Sequence, residues 1–304
     1  MKKITKAVIT AAGLGTRMLP IAKSVPKVML PIVDKPAIQY QVEEASKSGI
    51  TDILIIAGKD NYNIENHFDY SLEYENALKN KQNGEEIIKR LNNIDDSANI
   101  HYIRQKEPKG LGHAVLCAKS FIGNDNFIVI YGDDTIIGEI PASKQLIDTY
   151  ERHNGEVCVA AVKKVEREKL QLYCSLDVDV IDNSDSEFYV YDMNEKPKNP
   201  EDIFSDYAIL GRVLLTPEIF SILEKQEKGI NGEIQLTDSM KTLVKQVRRN
   251  TGVKPKMIAR VFDGERHDMG SKFGFLRANI MEGIKHPETG EALKEFLKEF
   301  SKNL

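Results

Sequence analysis

Ala11-Ala12-Gly13-Leu14-Gly15-Thr16-Arg17-Met18-Leu19-Pro20 follows the apolar run Ala7-Val8-Ile9-Thr10, and that succession decides the fold. The apolar run reads as a buried strand. Two glycines two positions apart let the backbone turn sharply and aim its N–H groups at a ligand, which suits phosphate oxygens. Arg17 adds a fixed, forked cation at the same place. Further on, Lys23-Ser24-Val25-Pro26-Lys27-Val28-Met29-Leu30-Pro31 brings a second basic element, with Lys27 held behind a proline. Strand, glycine loop, Arg and Pro-fixed Lys together describe a site for a triphosphate.

Two other phosphate motifs fail on these residues. A dinucleotide fold wants a third glycine inside a starting helix. Met18 stands at that third position, and Pro20 argues against a long helix. A Walker loop needs Gly-Lys-Ser/Thr after four spacer residues, which this stretch lacks. Taken alone the loop would also fit an ordinary tight turn; its downstream partners set that reading aside.

Outward from the loop, strand-like and helix-like segments alternate. Residues 36–45 carry helical spacing at Ile38, Val42 and Ala45, with Asp34 near the start and Gly49 past the end. Residues 52–58 and 127–131 are short β-branched runs that read as buried strands. Further strands are expected near 156–164, 188–193 and 207–215, and amphipathic helices over 271–284 and 290–302. Such alternation predicts an α/β fold, three-layered and Rossmann-like, with a mostly parallel mixed sheet. Ligands then bind beyond the carboxyl ends of the strands. Residues 70–98 are rich in Asn, Lys and Glu and read as a solvated helical insertion. No repeat or Pro/Ser linker interrupts the chain. The expected division is a catalytic domain over 1–265 and a C-terminal helical segment over 266–304, placed at a dimer interface.

Composition narrows the function. The 304 residues are 41% hydrophobic and 29% charged, which suits a soluble protein with a full core. The net charge of −4 gives no reason to expect nucleic-acid binding. Cys117, Cys158 and Cys174 are widely spaced and odd in number, against a disulfide framework or zinc site and in favour of a reducing cytoplasm. Lys2, Lys3 and Lys6 ahead of an apolar stretch imitate a signal peptide weakly, but Arg17 follows too soon and a strand explains the apolar part. No membrane association is expected.

Four constellations bear on chemistry. Tyr131-Gly132-Asp133-Asp134 ends a buried strand in carboxylates, well placed to hold Mg²⁺ by one or two oxygens. Arg266-His267-Asp268-Met269-Gly270 can supply another. In Asn194-Glu195-Lys196-Pro197-Lys198, Pro197 stiffens a loop that could fix Lys196 as a point charge for a phosphate. In Gln105-Lys106-Glu107-Pro108-Lys109-Gly110-Leu111-Gly112-His113-Ala114, the Gln105 amide both donates and accepts, as a pyrimidine edge requires, and Gly110 permits close backbone approach. His113 sits among apolar residues and reads as structural. No Gly-x-Ser-x-Gly elbow, Cys/His signature or His-Glu-x-x-His is present, so a reaction of positioning and charge neutralisation is favoured.

Taken in order, Gly13-Leu14-Gly15-Thr16-Arg17, Pro26-Lys27-Val28-Met29-Leu30-Pro31, Asp34-Lys35-Pro36, Ile38-Gln39-Tyr40, Gly110-Leu111-Gly112-His113-Ala114, Glu195-Lys196-Pro197-Lys198 and Gly232-Glu233-Ile234-Gln235-Leu236-Thr237-Asp238 closely resemble the bacterial UTP–glucose-1-phosphate uridylyltransferases. The resemblance runs over residues 6–283. It implies the nucleotide-diphospho-sugar transferase fold and transfer of UMP from UTP to glucose 1-phosphate. Ala11 to Arg17 would then wrap the triphosphate, with Arg17 and Lys27 holding charge on the departing pyrophosphate. Gln105 and Gly110 would read uracil. Gly132, Cys174, Glu195, Lys196 and Glu233 would form the sugar-phosphate side, and Asp133 and Asp268 would hold Mg²⁺. Partners are UTP, glucose 1-phosphate and further copies of the chain as a homodimer or homotetramer.

Three positions depart from the family pattern. Val28 replaces a usual Glu, Cys174 stands where a glycine lies near the sugar, and Asp206 replaces an Asn. Alternatives are a related sugar-1-phosphate nucleotidyltransferase using dTTP or another sugar, and a nucleotide-sugar-binding regulator. Retention of both metal carboxylates favours the enzyme.

Overall fold

The first apolar run is a strand, β1 (Lys6–Ala11), and its alternate side chains reach two different cores. The structure is a computed structural model that describes residues 2–59, 62–92, 98–249 and 251–303. A short ribbon, β2 (Pro31–Ile32) and β3 (Lys35–Pro36), leads into α1 (Ala37–Lys47). Then follow β4 (Asp52–Ala57), α2 (Tyr62–His67), α3 (Leu72–Leu78), α4 (Gly84–Asn92) and β5 (Asn99–Arg104). Helices α5 (Leu111–Cys117) and α6 (Lys119–Ile122) precede β6 (Phe127–Tyr131), β7 (Asp134–Ile137) and α7 (Ala142–Arg152).

The second half runs β8 (Cys158–Lys164), β9 (Cys174–Val180), β10 (Glu187–Glu195) and β11 (Tyr207–Leu215). It continues with α8 (Glu218–Leu223), α9 (Leu236–Val244), β12 (Met257–Val261) and β13 (Glu265–Asp268). Helices α10 (Lys272–Lys285) and α11 (Gly290–Phe300) close it.

Among the described residues, nine strands form one mixed sheet in the order β5-β4-β1-β6-β11-β8-β12-β10-β9. The N-terminal side is parallel throughout, β5 to β4 to β1 to β6. Strand β11 enters antiparallel between β6 and β8, and antiparallel pairs then dominate. On one face Ala7, Ile9, Ile53, Ile55, Ile128 and Ile130 pack under α1 and α7. On the other Val8, Leu54, Ile56, Phe127 and Val129 pack under α5, α8 and α9. Each such Val, Leu, Ile or Phe side chain contributes about 1.5–3 kcal/mol on burial, so a one-residue slip of β1 would be costly on both faces. The result is the expected three-layer α/β arrangement.

Two smaller features bring distant residues to the mouth of this sheet. β7 pairs antiparallel with β13, setting Asp134 opposite Asp268. A third apolar cluster joins Met18, Leu30 and Ile32 to Met269 and Ala278, so the glycine loop is anchored to the entry of α10. Residue 265, the proposed domain boundary, falls at the start of β13 and therefore inside this ribbon. The 70–98 insertion holds α3 and α4, with Leu72, Tyr74, Ile87 and Leu91 exposed; its residues 93–97 lie outside the described residues.

Candidate active site

The backbone of the glycine loop leaves β1 and crosses over Lys27. Gly15 is left-handed, with φ 63°, and a Cβ there would also stand 3.1 Å from Ala22 Cβ and 3.3 Å from Lys27 Cβ. Conformation and crowding both call for glycine. A Cβ at Gly13 would lie 3.5 Å from Lys27 Nζ, so loop and ammonium share one wall. A short 3₁₀ turn (Thr16–Met18) turns Met18 into its apolar cluster and leaves Arg17 largely exposed at the rim.

Below the loop, Asp133 Oδ2 accepts from Lys27 Nζ at 2.6 Å and faces Arg17 Nη2 at 3.8 Å. Burial alone would raise the Asp133 carboxyl. The Lys27 ammonium, with help from Arg17, outweighs that and holds it below the usual carboxylate range. Asp268 approaches across the β7–β13 ribbon, fixed by a Gly270 N–H donated to its Oδ1 at 2.9 Å. Met269 N–H donates to the Asp133 carbonyl at 2.8 Å. Gly270 keeps the meeting point open. A Cβ there would lie 2.7 Å from Arg17 Nη2, 3.0 Å from Asp133 Oδ2 and 3.1 Å from Asp268 Oδ1.

Asp134, the second carboxylate of the strand end, turns away. It is buried against Arg266 Nη2 at 2.5 Å. Burial pushes its carboxyl up to about 6; Arg266 pulls it down, and the charges of Asp133 and Asp268 add to the rise. Asp133 and Asp268 are therefore the pair available to a cation. Among the described residues no group of three or more His, Cys, Asp or Glu could hold a metal by itself. Two converging carboxylates fit Mg²⁺ whose other ligands come from water and substrate phosphates.

The loop opens on a cleft of about 530 Å³, within the range of ligand sites. It is lined by Ala12, Gly13, Leu14, Gly15, Thr16, Arg17 and Lys27 on one side, and by Gln105, Gly110, Tyr131, Asp133, Glu233 and Gly270 among the rest. Ala11 ends β1 and does not line it. Gly110 has φ 99°, and a Cβ there would strike Glu233 Cβ and Ile234 O, each at 2.8 Å. Gln105 Nε2 donates to Gly110 O at 3.1 Å and meets His113 Nδ1 at 3.0 Å, so His113 braces the Gln105 amide.

Glu195 and Lys196 are not among the residues that line this cleft. Burial and the Glu195 charge, followed by Cys174, Asp134 and Asp133, drive the Tyr131 hydroxyl well above the phenol range. Glu195 ends β10, and Lys196 has φ 48°, a strained value for a residue with a side chain. Its N–H donates to Tyr173 O at 2.9 Å, and its Nζ faces Glu195 Oε1 at 3.2 Å.

Two residues expected on this side are buried. Cys174 opens β9 opposite Glu195 with its side chain buried among Leu176, Met193 and Val190, so its thiol packs in the core. Gly132 also lies behind the cleft surface. A Cβ there would stand 2.2 Å from Thr10 O, so the close approach of β1 and β6 itself requires the glycine.

Four contributors escaped the sequence reading. Gln41, fully buried on α1, donates to Gly132 O at 2.8 Å and sets the turn that presents Asp133. A polar residue amid the Ile38, Val42 and Ala45 face was its only signal. Thr237 donates to Glu195 Oε2 at 3.0 Å. Arg266 and Gly270 stand in a stretch read only for its Asp.

The sequence profile of nucleotidyl transferases matches residues 6–279. The UTP–glucose-1-phosphate uridylyltransferase YngB of Bacillus subtilis (strain 168) is 46% identical over 304 residues, 99% of this chain and 97% of its own length. The UTP–glucose-1-phosphate uridylyltransferase of Streptococcus pneumoniae serotype 4 is 46% identical over 306 residues, 99% of this chain and 98% of its own. A UDP-glucose pyrophosphorylase solved in complex with UDP-glucose superposes with a TM-score of 0.82 at 38% identity, covering 93% of this chain and 100% of that one. The UTP-bound enzyme from Acinetobacter baumannii gives 0.85 at 33% identity, covering 98% and 99%.

Proposed function

We infer the reaction from one premise: the chain belongs to the nucleotidyl transferase family, among the UTP–glucose-1-phosphate uridylyltransferases. It transfers UMP from UTP to glucose 1-phosphate, giving UDP-glucose and pyrophosphate. The observation that carries the site assignment is the convergence of the glycine loop, Lys27, Arg17, Asp133 and Asp268 on the open space at Gly270.

A phosphate oxygen of glucose 1-phosphate attacks the α-phosphorus of UTP in line. The new P–O bond forms as the bond to the β-phosphate oxygen breaks, and pyrophosphate leaves with that electron pair. The attacking monoester has a second pKa of about 6 and is already anionic near neutral pH, so no general base is required. The obstacle is the approach of two polyanions. Loop N–H groups and Arg17 hold the triphosphate, and Lys27 takes up charge on the leaving pyrophosphate. Asp133 and Asp268 would hold Mg²⁺, which supplies charge neutralisation when bound. Gln105 and Gly110 read the base, with Glu233 at the cleft's edge. Glu195 binds sugar hydroxyls, and Lys196 binds the sugar phosphate.

Pyrophosphate release across a panel of NTPs and sugar 1-phosphates tests this reading. The pair UTP and glucose 1-phosphate should dominate; dTTP or another sugar in first place would move the assignment to a neighbouring specificity, and no release with any pair would make the chain a regulator.

The C-terminal segment is the proposed contact with a second copy of the chain. On α10 Phe273, Leu276 and Ile280 are exposed at helical spacing, and on α11 Phe296 and Phe300 stack in solvent. An apolar stripe of this kind marks an association surface. Light scattering should give a dimer or tetramer, and Phe273→Glu with Leu276→Glu should shift it to monomer. Among the described residues no helix is long and apolar enough to cross a membrane, and Cys117, Cys158 and Cys174 are free.

A further inference from the structure

Glu195 is held by two donors from two different elements. Lys196 Nζ faces Oε1 at 3.2 Å, and Thr237 Oγ1 donates to Oε2 at 3.0 Å. Thr237 is a buried residue in the first turn of α9, and the hydrogen bond it makes crosses from that helix to the end of β10. The helix start is itself fixed from the opposite side. Ile234 N–H donates to Lys109 O, and Gly112 N–H donates to Ile234 O, both at 2.8 Å. Glu233 lies against Gly110, where no Cβ would fit. The short segment 233–237 thus touches the base-reading loop at one end and the sugar carboxylate at the other.

We propose that Thr237 is the positioning residue for Glu195, fixing its carboxylate so that its remaining lone pairs face the hydroxyls of the hexose. An ionised carboxylate offers about four acceptor sites. Thr237 and Lys196 occupy two of them from fixed directions, which leaves the others for a ligand. The first turn of a helix also favours a negative charge at this place. No carbonyl of α9 lies three or four residues before Thr237, so its hydroxyl is free to bond across to Glu195. The inference rests on the reading that Glu195 contacts the sugar.

The test compares Thr237→Val, which keeps shape and removes the donor, with Thr237→Ser, which keeps the donor. Thr237→Val should raise KM for glucose 1-phosphate about tenfold, equivalent to about 1.4 kcal/mol, as expected for one hydrogen bond to a charged group. Its KM for UTP and its calorimetric UTP affinity should stay within about twofold of wild type, and Thr237→Ser should restore the sugar-phosphate KM. Equal kinetics for Thr237→Val and wild type would overturn the proposal. So would a parallel rise in both KM values with a lowered Tm, which marks a purely structural role. Glu195→Gln separates the two levels: if it leaves the sugar-phosphate KM untouched, the reading of Glu195 fails, whereas a raised KM there with a silent Thr237→Val removes Thr237 alone.

Discussion

Asp133 is where the proposed metal would meet the charges of Lys27 and Arg17, and its substitution is the sharpest single-residue test. Asp133→Asn should lower kcat by at least about 10²-fold, since metal charge stabilisation is worth several kcal/mol. Tm should change little, because Lys27 and Arg17 lose only a partner at the edge of an open cleft. Turnover near wild type with an unaltered Mg²⁺ dependence would remove Asp133 from the site. Lys196→Ala should raise KM for glucose 1-phosphate more than KM for UTP, and the opposite ranking in steady-state kinetics would show that Lys196 serves the nucleotide. Cys174→Gly should behave as a core mutation. A glycine inside β9 costs about 0.5–1 kcal/mol, and loss of the buried thiol adds to it, so thermal melting should fall with sugar preference unchanged. At this scale the sequence was informative where a residue's chemistry is its function: Arg17, Lys27, Gln105, Asp133 and Glu233 all line the cleft. It was uninformative where burial decides. Nothing in Tyr173-Cys174-Ser175 says that the thiol points into the core, and nothing in Gly132-Asp133 says that the glycine serves a neighbouring strand.

Elements were legible in proportion to their length and periodicity. The β-branched runs at 52–57 and 127–131 are strands because each buries alternate residues on two faces. The β7–β13 ribbon was missed because its two strands have four residues each and find each other only across the folded molecule. One inter-element link is pH-sensitive. Glu187 of β10 accepts from Thr149 and Arg152 of α7 and from His153 just past its end, with Arg260 of β12 at 3.6 Å. Burial alone would raise its carboxyl, but the bonds from His153, Arg152 and Thr149 prevail and hold it below its ordinary 4.5. A lowered folded-state pKa stabilises fully above the unfolded value and is lost as pH falls through the folded one. Glu187→Gln should therefore be less stable than wild type at pH 7 by about 1–3 kcal/mol, with the gap closing below about pH 4.5 in urea titrations. A gap constant with pH would show that shape, not charge, holds α7 to the sheet.

Across the whole molecule, layers and chain order were readable because alternating strand and helix patterns leave few arrangements. What holds the halves together was not. Arg212 of β11 is fully buried and bonds Glu44 of α1 through Nε and Nη2, while Glu44 also accepts from Ser143 at the start of α7. Its Nη1 donates to the carbonyls of Asp134 and Gly211, behind the catalytic turn. Glu44→Ala, which strands this cation, should cost about 3–5 kcal/mol in denaturant unfolding, and Glu44→Leu with Arg212→Met should recover much of it. The ribbon that sets Asp134 opposite Asp268 also fixes when activity can begin during synthesis. Asp133 is synthesised first, whereas Asp268 follows only after about 7–27 s of further translation at about 5–20 residues per second. A nascent chain arrested before Glu265 owns its glycine loop, Lys27 and one carboxylate but lacks the second. With Asp268 as the second carboxylate of the proposed metal site, activity would begin only when the last strand emerges and docks.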